Sequence, residues 1–258
     1  MLQTDFIEIN GLSYHIQRII KDVNLPTIIF LHDSLGSVKL WRDFPEKLGE
    51  ITNYNVLIYD REGHGDSSPF TIKERPINYL ELGADILNKI ITKLNLTQII
   101  LFGHSDGATI SLHYAAKYPN NILATIVEGV HVFVEEETLQ GIRDAKQALE
   151  TTNLAERVTK YHGNKTDMLF KLWIETWLKP NYRDWNIYKE IRNITTPVLV
   201  FQGENDEFGT MQQVEKIKQN VSATVIDYLI PNCGHNPHKE QKDFTLEKTK
   251  EFIKEYAL

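Results

Sequence analysis

A short apolar stretch runs directly into a glycine–serine–glycine turn between residues 98 and 109. Its apolar run is typical of a strand buried on both faces of a parallel sheet, and an apolar helical pattern follows the turn. Gly103 and Gly107 flank Ser105 where the strand must turn into the helix, and a residue without a Cβ lets the two backbones pass closely. This G-x-S-x-G pattern lifts a serine hydroxyl above the sheet in a strained turn. The pentapeptide is common by chance, so the strand and helix around it give it weight.

Composition and charge narrow the class of protein. The 258 residues are 41% hydrophobic, which is enough for one large core with an insertion. The formal net charge is -7 with scattered basic residues, so we expect no nucleic-acid partner. The single cysteine, Cys233, excludes an internal disulfide framework and is typical of a reducing compartment. Without a secretory signal pattern or an apolar run near roughly 18 residues, we expect a cytoplasmic protein that does not span a membrane.

Strand and helix patterns alternate through residues 1–130. Asn10-Gly11 predicts a hairpin turn between the first two strands, which would pair antiparallel at the sheet edge. Buried-strand patterns follow, with helical patterns between them. The predicted strands are residues 5–9, 13–19, 27–31, 55–59, 98–102 and 122–130, and the predicted helices cover 41–48, 80–94 and 106–118.

The alternation lapses between residues 131 and 191. Helical patterns at 138–149, 167–178 and 185–191 follow one another with no strand between them, and strands return at 197–201 and 224–230. A regular α/β core interrupted by helices indicates an inserted cap. We therefore predict a core from residues 1–130 and 192–258, with a helical cap at 131–191.

A serine hydroxyl becomes a good nucleophile only when a base takes its proton and a third group orients that base. Asp206 lies in Gly-Glu-Asn-Asp after the strand at 197–201, and His235 lies in Gly-His after the strand at 224–230. Loops at the carboxyl ends of parallel strands gather at one edge of the sheet. The order Ser105, Asp206, His235 therefore predicts a catalytic triad, with His238 a weaker candidate than His235 for the base.

Metal and cofactor motifs are missing from the sequence. His235 and His238 are separated by Pro237, and neither H-E-x-x-H nor C-x-x-C occurs. Gly63-His64-Gly65 lacks the third glycine of a dinucleotide fingerprint, and the chain has no P-loop string. We predict neither a metal site nor a bound cofactor.

The motifs together resemble those of the α/β-hydrolases over nearly the whole chain. They are residues 32–36 and 60–67, each after a core strand, the Ser105 turn, Asp206, and Gly234-His235. The resemblance implies a mostly parallel, eight-stranded-type sheet flanked by helices, with an inserted helical cap. It also implies an oxyanion hole formed by the backbone amides of Ser34 and Asp106. Two positions depart from the family pattern: Asp33 replaces a usual glycine, and Glu62 a common arginine.

With a serine as the nucleophile, the chain resembles the ester, thioester and lactone hydrolases of this fold. The dehalogenases and epoxide hydrolases of the same fold have a carboxylate nucleophile at that position. The implied reaction is attack by Ser105 with His235 as base, then hydrolysis of the acyl-enzyme by water that His235 activates. Asp206 would hold the imidazole in the correct tautomer. The activity of His235 as base predicts a rate that rises with pH near the ordinary histidine pKa of about 6.5.

Asp106, the residue after the serine, has two interpretations. A carboxylate in the first turn of a helix stabilises the helix dipole by about 0.3–1 kcal/mol. Alternatively, Asp106 faces the pocket and binds a cationic group of the substrate. Ser-Asp-Gly, with residues 114–119 and 141–144, resembles the valacyclovir hydrolase (biphenyl hydrolase-like) branch, where the corresponding aspartate binds the α-amino group of amino-acid esters. That resemblance implies Asp106 as a substrate-binding residue.

The predicted function is cleavage of a small carboxylic ester without a cofactor, with an α-amino-acid ester as the preferred substrate. Two alternatives remain within catalysis, a carbon–carbon bond hydrolase and a thioesterase, since fold and triad do not separate them. An alternative from another class is a ligand-binding or signalling protein that keeps a triad. The sequence leaves the oligomeric state open.

Overall fold

Eight strands form one sheet in the computed structural model, which describes residues 2–257. The first strand pairs antiparallel with the second, the second pairs antiparallel with the edge of a parallel set, and the other six strands run parallel. The strand order is β1-β2-β4-β3-β5-β6-β7-β8. The strands are β1 Leu2–Ile9, β2 Leu12–Ile19, β3 Thr27–Leu31, β4 Asn55–Tyr59, β5 Ile99–His104, β6 Ile122–Glu128, β7 Val198–Gly203 and β8 Val225–Ile230.

Helices cover both faces of this sheet, and four further helices follow one another between β6 and β7. The helices are α1 Phe44–Thr52, α2 Tyr79–Lys93, α3 Asp106–Lys117, α4 Glu136–Thr151, α5 Leu154–His162, α6 Thr166–Trp177, α7 Tyr188–Ile191, α8 Met211–Asn220, α9 Pro237–Glu240 and α10 Lys242–Tyr256. Apolar residues of α2, α3 and α8 form one buried layer with the sheet, and those of α1 and α10 form another. Within residues 2–257, no helix combines the length and apolar character needed to cross a bilayer. The predicted α/β fold class is confirmed.

Most predicted core elements are present, with differences that have local causes. The hairpin turns through Asn10 and Gly11, both with positive φ, as Asn-Gly predicts. The helix predicted through Trp41 is instead a short 3₁₀ turn, Val38–Trp41, followed by α1, because Arg42 adopts a φ of 54° between them. Strand β6 ends at Glu128, before the predicted end at residue 130, because Gly129 has a φ of 53°.

Helices α4 to α7 lie between β6 and β7, in the segment expected to be the cap. Helices α4, α5 and α6 form their own apolar cluster, against which Leu35, Phe70 and Phe208 from core loops pack, whereas Ile191 of α7 belongs to the buried layer that α2 and α3 form with the sheet. Helices α4 to α6 therefore lie against loops at the carboxyl edge of the sheet. No pattern in the sequence predicted α5, whose buried residues are Val158 and His162. The division of the chain at residues 130 and 191 stays a prediction.

Candidate active site

Ser105 occupies a strained turn between β5 and α3. Its φ of 54° and ψ of -118° lie in a region that non-glycine residues rarely adopt. A Cβ on Gly103 would lie 2.4 Å from the Gly107 carbonyl oxygen, and one on Gly107 would lie 2.0 Å from the Leu31 oxygen. The Ser105 amide donates to the Glu128 carbonyl at 3.0 Å. Close packing of β5, α3 and β3 thus requires both glycines and holds the serine in position, as the sequence predicted.

Asp206 and His235 meet although they come from different loops. Asp206 follows β7 and His235 follows β8, and these strands are neighbours in the sheet. His235 Nδ1 lies 2.9 Å from Asp206 Oδ1 and 3.0 Å from Oδ2. The carboxylate also accepts hydrogen bonds from the Phe208 amide at 2.9 Å and from the Gln202 side-chain amide at 2.9 Å. An ionised carboxylate can only accept hydrogen bonds, so His235 Nδ1 must carry the proton that it donates. In the neutral imidazole, Nε2 is then unprotonated and can accept a proton.

The electrostatics of this pair favour charge separation. Burial opposes ionisation of Asp206, but the neighbouring His235 and the hydrogen bonds lower the pKa of its carboxyl to about 2. Burial would also lower the pKa of His235, yet the charge of Asp206 and its hydrogen bond raise that pKa above 6.5. An imidazole that gains a proton beside this carboxylate is therefore stabilised.

Ser105 and His235 line one cavity of about 120 Å³, here called the Ser105 cavity. Its walls include apolar side chains from the inserted helices and from core loops: Leu35, Ile142, Trp173, Trp177 and Phe208. Between the described residues, Ser105 Oγ forms no hydrogen bond with the His235 ring. Catalytic hydrogen bonds are often long before substrate binds, so this geometry is compatible with a nucleophile and its base.

Ser34 also lines the Ser105 cavity, and Asp106 follows the serine at the start of α3. Within residues 2–257, neither backbone amide donates to another backbone or side-chain acceptor. The loop around Ser34 is held by two neutral histidines. His32 Nδ1 donates to the Asp33 carbonyl at 2.8 Å, and His64 Nε2 lies 3.1 Å from the Ser34 oxygen. Two free amides thus remain near the serine, at the positions predicted for an oxyanion hole.

The side chain of Asp106 has other partners. The Tyr79 hydroxyl donates to Oδ1 at 3.1 Å, while Arg61 Nη1 and Arg75 Nη1 lie 3.5 and 3.9 Å from Oδ2. The side chain is 1% exposed, and Asp106 is not among the residues that line the Ser105 cavity. The carboxylate therefore lies against two guanidinium groups, and its role in binding a cationic substrate group stays a prediction.

A second buried histidine–carboxylate pair lies behind the site. His238 Nδ1 forms a short contact with Glu128 Oε1, and the His238 amide donates to Oε2 at 3.0 Å. His104 Nε2 donates to the His235 carbonyl at 2.8 Å, so it supports the loop of the proposed base. Burial raises the pKa of Glu128 to about 7 and lowers that of His238 far below its usual value.

Two groups of side chains have the composition of a metal site. Nitrogen and oxygen atoms of His104, Glu128 and His238 lie within 4.8 Å of one another, as do those of His15, Asp60 and Asp66. In the first group, His104 and His238 each use one ring nitrogen for the hydrogen bonds just described. In the second, Asp60 accepts from His15 at 2.6 Å and from two backbone amides. Both groups have a structural explanation within the protein.

His131 and Glu128 were missed as candidate residues. His131 lines the Ser105 cavity, donates through Nε2 to the Phe208 carbonyl at 3.2 Å, and has no hydrogen-bond partner at Nδ1 among the described residues. Burial lowers its pKa to about 4, so it is neutral and Nδ1 is an acceptor. Both residues lie at the end of the apolar run around β6. The only sequence feature that could have indicated them was a polar residue within or next to an apolar strand pattern.

Comparisons with known proteins agree with this geometry. Residues 26–194 match the sequence model of the family described as alpha/beta hydrolase fold. The chain is 26% identical to the mouse (Mus musculus) serine hydrolase BPHL, over 90% of this chain and 80% of that protein. It is 23% identical to a 2-succinyl-6-hydroxy-2,4-cyclohexadiene-1-carboxylate synthase of Enterobacter, over 83% of this chain and 86% of that one. The crystal structure of MGS-M2, an alpha/beta hydrolase from a deep-sea metagenome library, superposes with a TM-score of 0.77, 20% identity and 98% coverage of both chains.

Proposed function

The chain belongs to the α/β-hydrolase fold family and is a hydrolase, and we propose that it is a serine hydrolase that cleaves a small carboxylic ester through an acyl-enzyme. In this proposal Ser105 is the nucleophile, His235 the general base and Asp206 the residue that orients and stabilises the imidazole. The backbone amides of Ser34 and Asp106 form the oxyanion hole. The reaction needs no cofactor and no metal ion.

One observation carries the proposal: His235 Nδ1 is bound to Asp206 while His235 and the strained Ser105 line the same cavity. An imidazole with its Nδ1 proton held by a carboxylate presents an unprotonated Nε2. Strain at a serine is typical of the turn that exposes a nucleophile at the top of the sheet. These features together support nucleophilic catalysis more than ligand binding alone.

In the first half-reaction, Ser105 Oγ attacks the ester carbonyl and its proton passes to His235 Nε2. The tetrahedral intermediate expels the alcohol, which takes the proton from His235. In the second, water gives a proton to His235 and attacks the acyl-enzyme, and Ser105 Oγ leaves with that proton as the acid is released. The lowered pKa of Asp206, about 2, supports its staying ionised throughout.

The two free amides support stabilisation of the oxyanion. Donors aimed at a developing negative charge in a cavity that excludes water supply about 3 kcal/mol each. The start of α3 adds the positive end of a helix dipole at the same point. Neither contribution depends on the side chains of Ser34 or Asp106.

The size and walls of the Ser105 cavity support a small substrate with an apolar acyl part. At about 120 Å³ the cavity is well below the volume of a typical drug-sized site of roughly 300–1,000 Å³. The neutral His131 ring beside it adds an acceptor and no charge. Because Asp106 is paired with two arginines, we propose a plain carboxylic ester in preference to the amino-acid ester.

A substrate panel with matched variants tests the proposal. We expect p-nitrophenyl acetate and butyrate to be hydrolysed, with loss of turnover and of fluorophosphonate labelling in Ser105→Ala and loss of turnover in His235→Asn. Ser37→Ala is the control, since Ser37 is a buried serine whose hydroxyl has no partner among the described residues and which lies outside the Ser105 cavity. A thioester and a 1,5-diketone distinguish the thioesterase and carbon–carbon hydrolase alternatives. Turnover of no compound above the Ser105→Ala level would overturn the proposal in favour of a binding protein.

A further inference from the structure

A second cavity is lined by the three side chains that contact the Asp106 carboxylate, Arg61, Arg75 and Tyr79. It has a volume of about 420 Å³ and shares no lining residue with the Ser105 cavity. Arg61 and Arg75, the two arginines that flank the Asp106 carboxylate, are largely buried lining residues. We call it the arginine cavity.

The hydrogen-bonding capacity of these arginines exceeds what the protein supplies. Arg61 Nη2 donates to the Asp33 carbonyl at 2.7 Å, but Arg61 Nε has no acceptor among the described residues. Arg75 is 5% exposed, and its buried Nη1 likewise has no hydrogen-bond partner within residues 2–257. Both guanidinium groups share one carboxylate at 3.5 and 3.9 Å, distances longer than good hydrogen bonds. A buried donor left unpaired costs about 1–3 kcal/mol, so an acceptor that reaches these guanidinium groups removes part of that cost.

The walls of the arginine cavity are apolar and aromatic. The Arg75 guanidinium lies over the Tyr79 ring at 4.6 Å and near the Phe70 ring at 5.9 Å. Two further lining residues, Ile72 and Leu82, are 38% and 44% exposed and place apolar surface at the mouth of the cavity. The cavity thus has a buried cationic end and an exposed apolar end.

The other charged groups around the cavity are already engaged. Glu62 accepts from the Thr71 amide and hydroxyl at 2.6 and 2.7 Å, and Asp85 pairs with Lys117 at 2.8 Å. Lys89 at the rim donates to Asn10 at 3.0 Å. At the buried end, the two guanidinium groups share the single carboxylate of Asp106, while the Glu62 carboxylate is bonded to Thr71.

We infer that the arginine cavity binds a monocarboxylate with an apolar body, such as a medium-chain fatty acid, with its carboxylate on Arg75 and Arg61 and its chain against Phe70, Tyr79 and Leu82. An Arg–carboxylate contact is charge-assisted and can be bidentate, which suits the free donors of Arg75. This site is separate from the proposed ester hydrolysis and does not depend on it.

Calorimetric titration of the full chain with sodium octanoate tests this inference. We expect saturable binding that weakens roughly tenfold or more in Arg75→Met, because a charge-assisted hydrogen bond is lost. Leu82→Trp fills the mouth without touching the ion pairs and should weaken binding too, which covers the case in which Arg75→Met does not fold. Octanamide, which has the same chain without the charge, should bind far more weakly than octanoate.

Leu35→Trp is the control, because Leu35 lines the Ser105 cavity and not the arginine cavity. Octanoate affinity should be the same in Leu35→Trp as in the parent. Loss of binding in Leu35→Trp, equal binding in Arg75→Met and Leu82→Trp, or no saturable binding to the parent would each overturn the inference.

Discussion

Two buried histidine–carboxylate pairs lie side by side in this molecule and have opposite charge properties. His235 pairs with Asp206 beside Ser105, and His238 pairs with Glu128 behind it. The carboxylates are almost equally buried, at 1% and 0% exposure of their side chains. Yet the pKa of Asp206 falls to about 2 while that of Glu128 rises to about 7. Burial alone therefore does not decide the charge of a carboxylate in this protein.

The difference comes from what surrounds each pair. Asp206 accepts hydrogen bonds from the Phe208 amide and the Gln202 amide in addition to His235, and each stabilises the ionised form. Glu128 receives one backbone amide, and burial of its carboxyl outweighs the nearby positive charges. His238 is packed against the Trp41 ring at 4.5 Å, which leaves its charged form without solvent. The surroundings of the first pair stabilise an ionised Asp206, and those of the second stabilise a protonated Glu128.

The largest expected effect is the contrast between the two carboxylate-to-amide substitutions. Asp206→Asn should lower kcat by about 10⁴-fold, because the amide neither fixes the tautomer nor stabilises the imidazolium. Glu128→Gln should leave kcat close to that of the parent, since Glu128 contacts His238 and does not line the Ser105 cavity. Steady-state kinetics on p-nitrophenyl butyrate measures both. A similar loss in the two variants would show that the pairs do not differ as described.

Stability against pH gives the next largest contrast. Glu128 has a folded pKa of about 7 against an ordinary value of 4.5, so its stabilising contribution is complete below pH 4.5 and is lost as pH rises through 7. Glu128→Gln has no such loss. The variant should therefore gain roughly 3 kcal/mol relative to the parent between pH 4.5 and 8, at about 1.4 kcal/mol per pKa unit. Urea unfolding of both proteins across this range measures the difference, and a constant difference would contradict a protonated Glu128.

These two pairs also mark how far the sequence could predict the site. Ser105, Asp206 and His235 could be predicted as a triad because glycine positions and strand ends are local patterns, and parallel strands bring their carboxyl ends to one edge. Glu128 was missed because its carboxylate sits inside an apolar strand pattern, and its partner His238 comes from much later in the chain. The sequence shows the residue but not the contact that explains it.

Asp106 and α5 show the same limit. The sequence placed Asp106 at the start of a helix but could not show that Arg75, from a loop without regular structure, would reach its carboxylate. Helix α5 is polar along most of its length, so periodicity did not reveal it. Contacts between irregular segments depend on the packed fold, and a single sequence does not encode them in a local pattern.

The pH dependence of hydrolysis tests which of the two carboxylates sets the pKa of His235. Because Asp206 raises the pKa of His235, kcat/KM should rise with a midpoint above 6.5, higher than the value of about 6.5 expected from the sequence. Asp206→Asn should move the midpoint of its residual activity downward, since burial then acts on His235 without the opposing charge. Glu128→Gln should leave it in place. A midpoint that moves in Glu128→Gln would mean that the second pair sets the charge of the first.

The smallest expected effect concerns Asp106, another buried carboxylate, which lies against two guanidinium groups in place of a histidine. Asp106→Asn should lower kcat/KM for the p-nitrophenyl esters of alanine and of propionate by the same modest factor, because the side chain holds Tyr79 and the arginines and does not face the Ser105 cavity. The two substrates differ only in the α-amino group, so their ratio isolates recognition of the cation. Had Asp106 bound that group, the alanine ester would lose a further 10-fold or more, roughly the 1.5–3 kcal/mol of a charge-assisted contact. A selective loss of that size would restore the amino-acid ester as the substrate and place Asp106 with Asp206 among the carboxylates that serve the reaction.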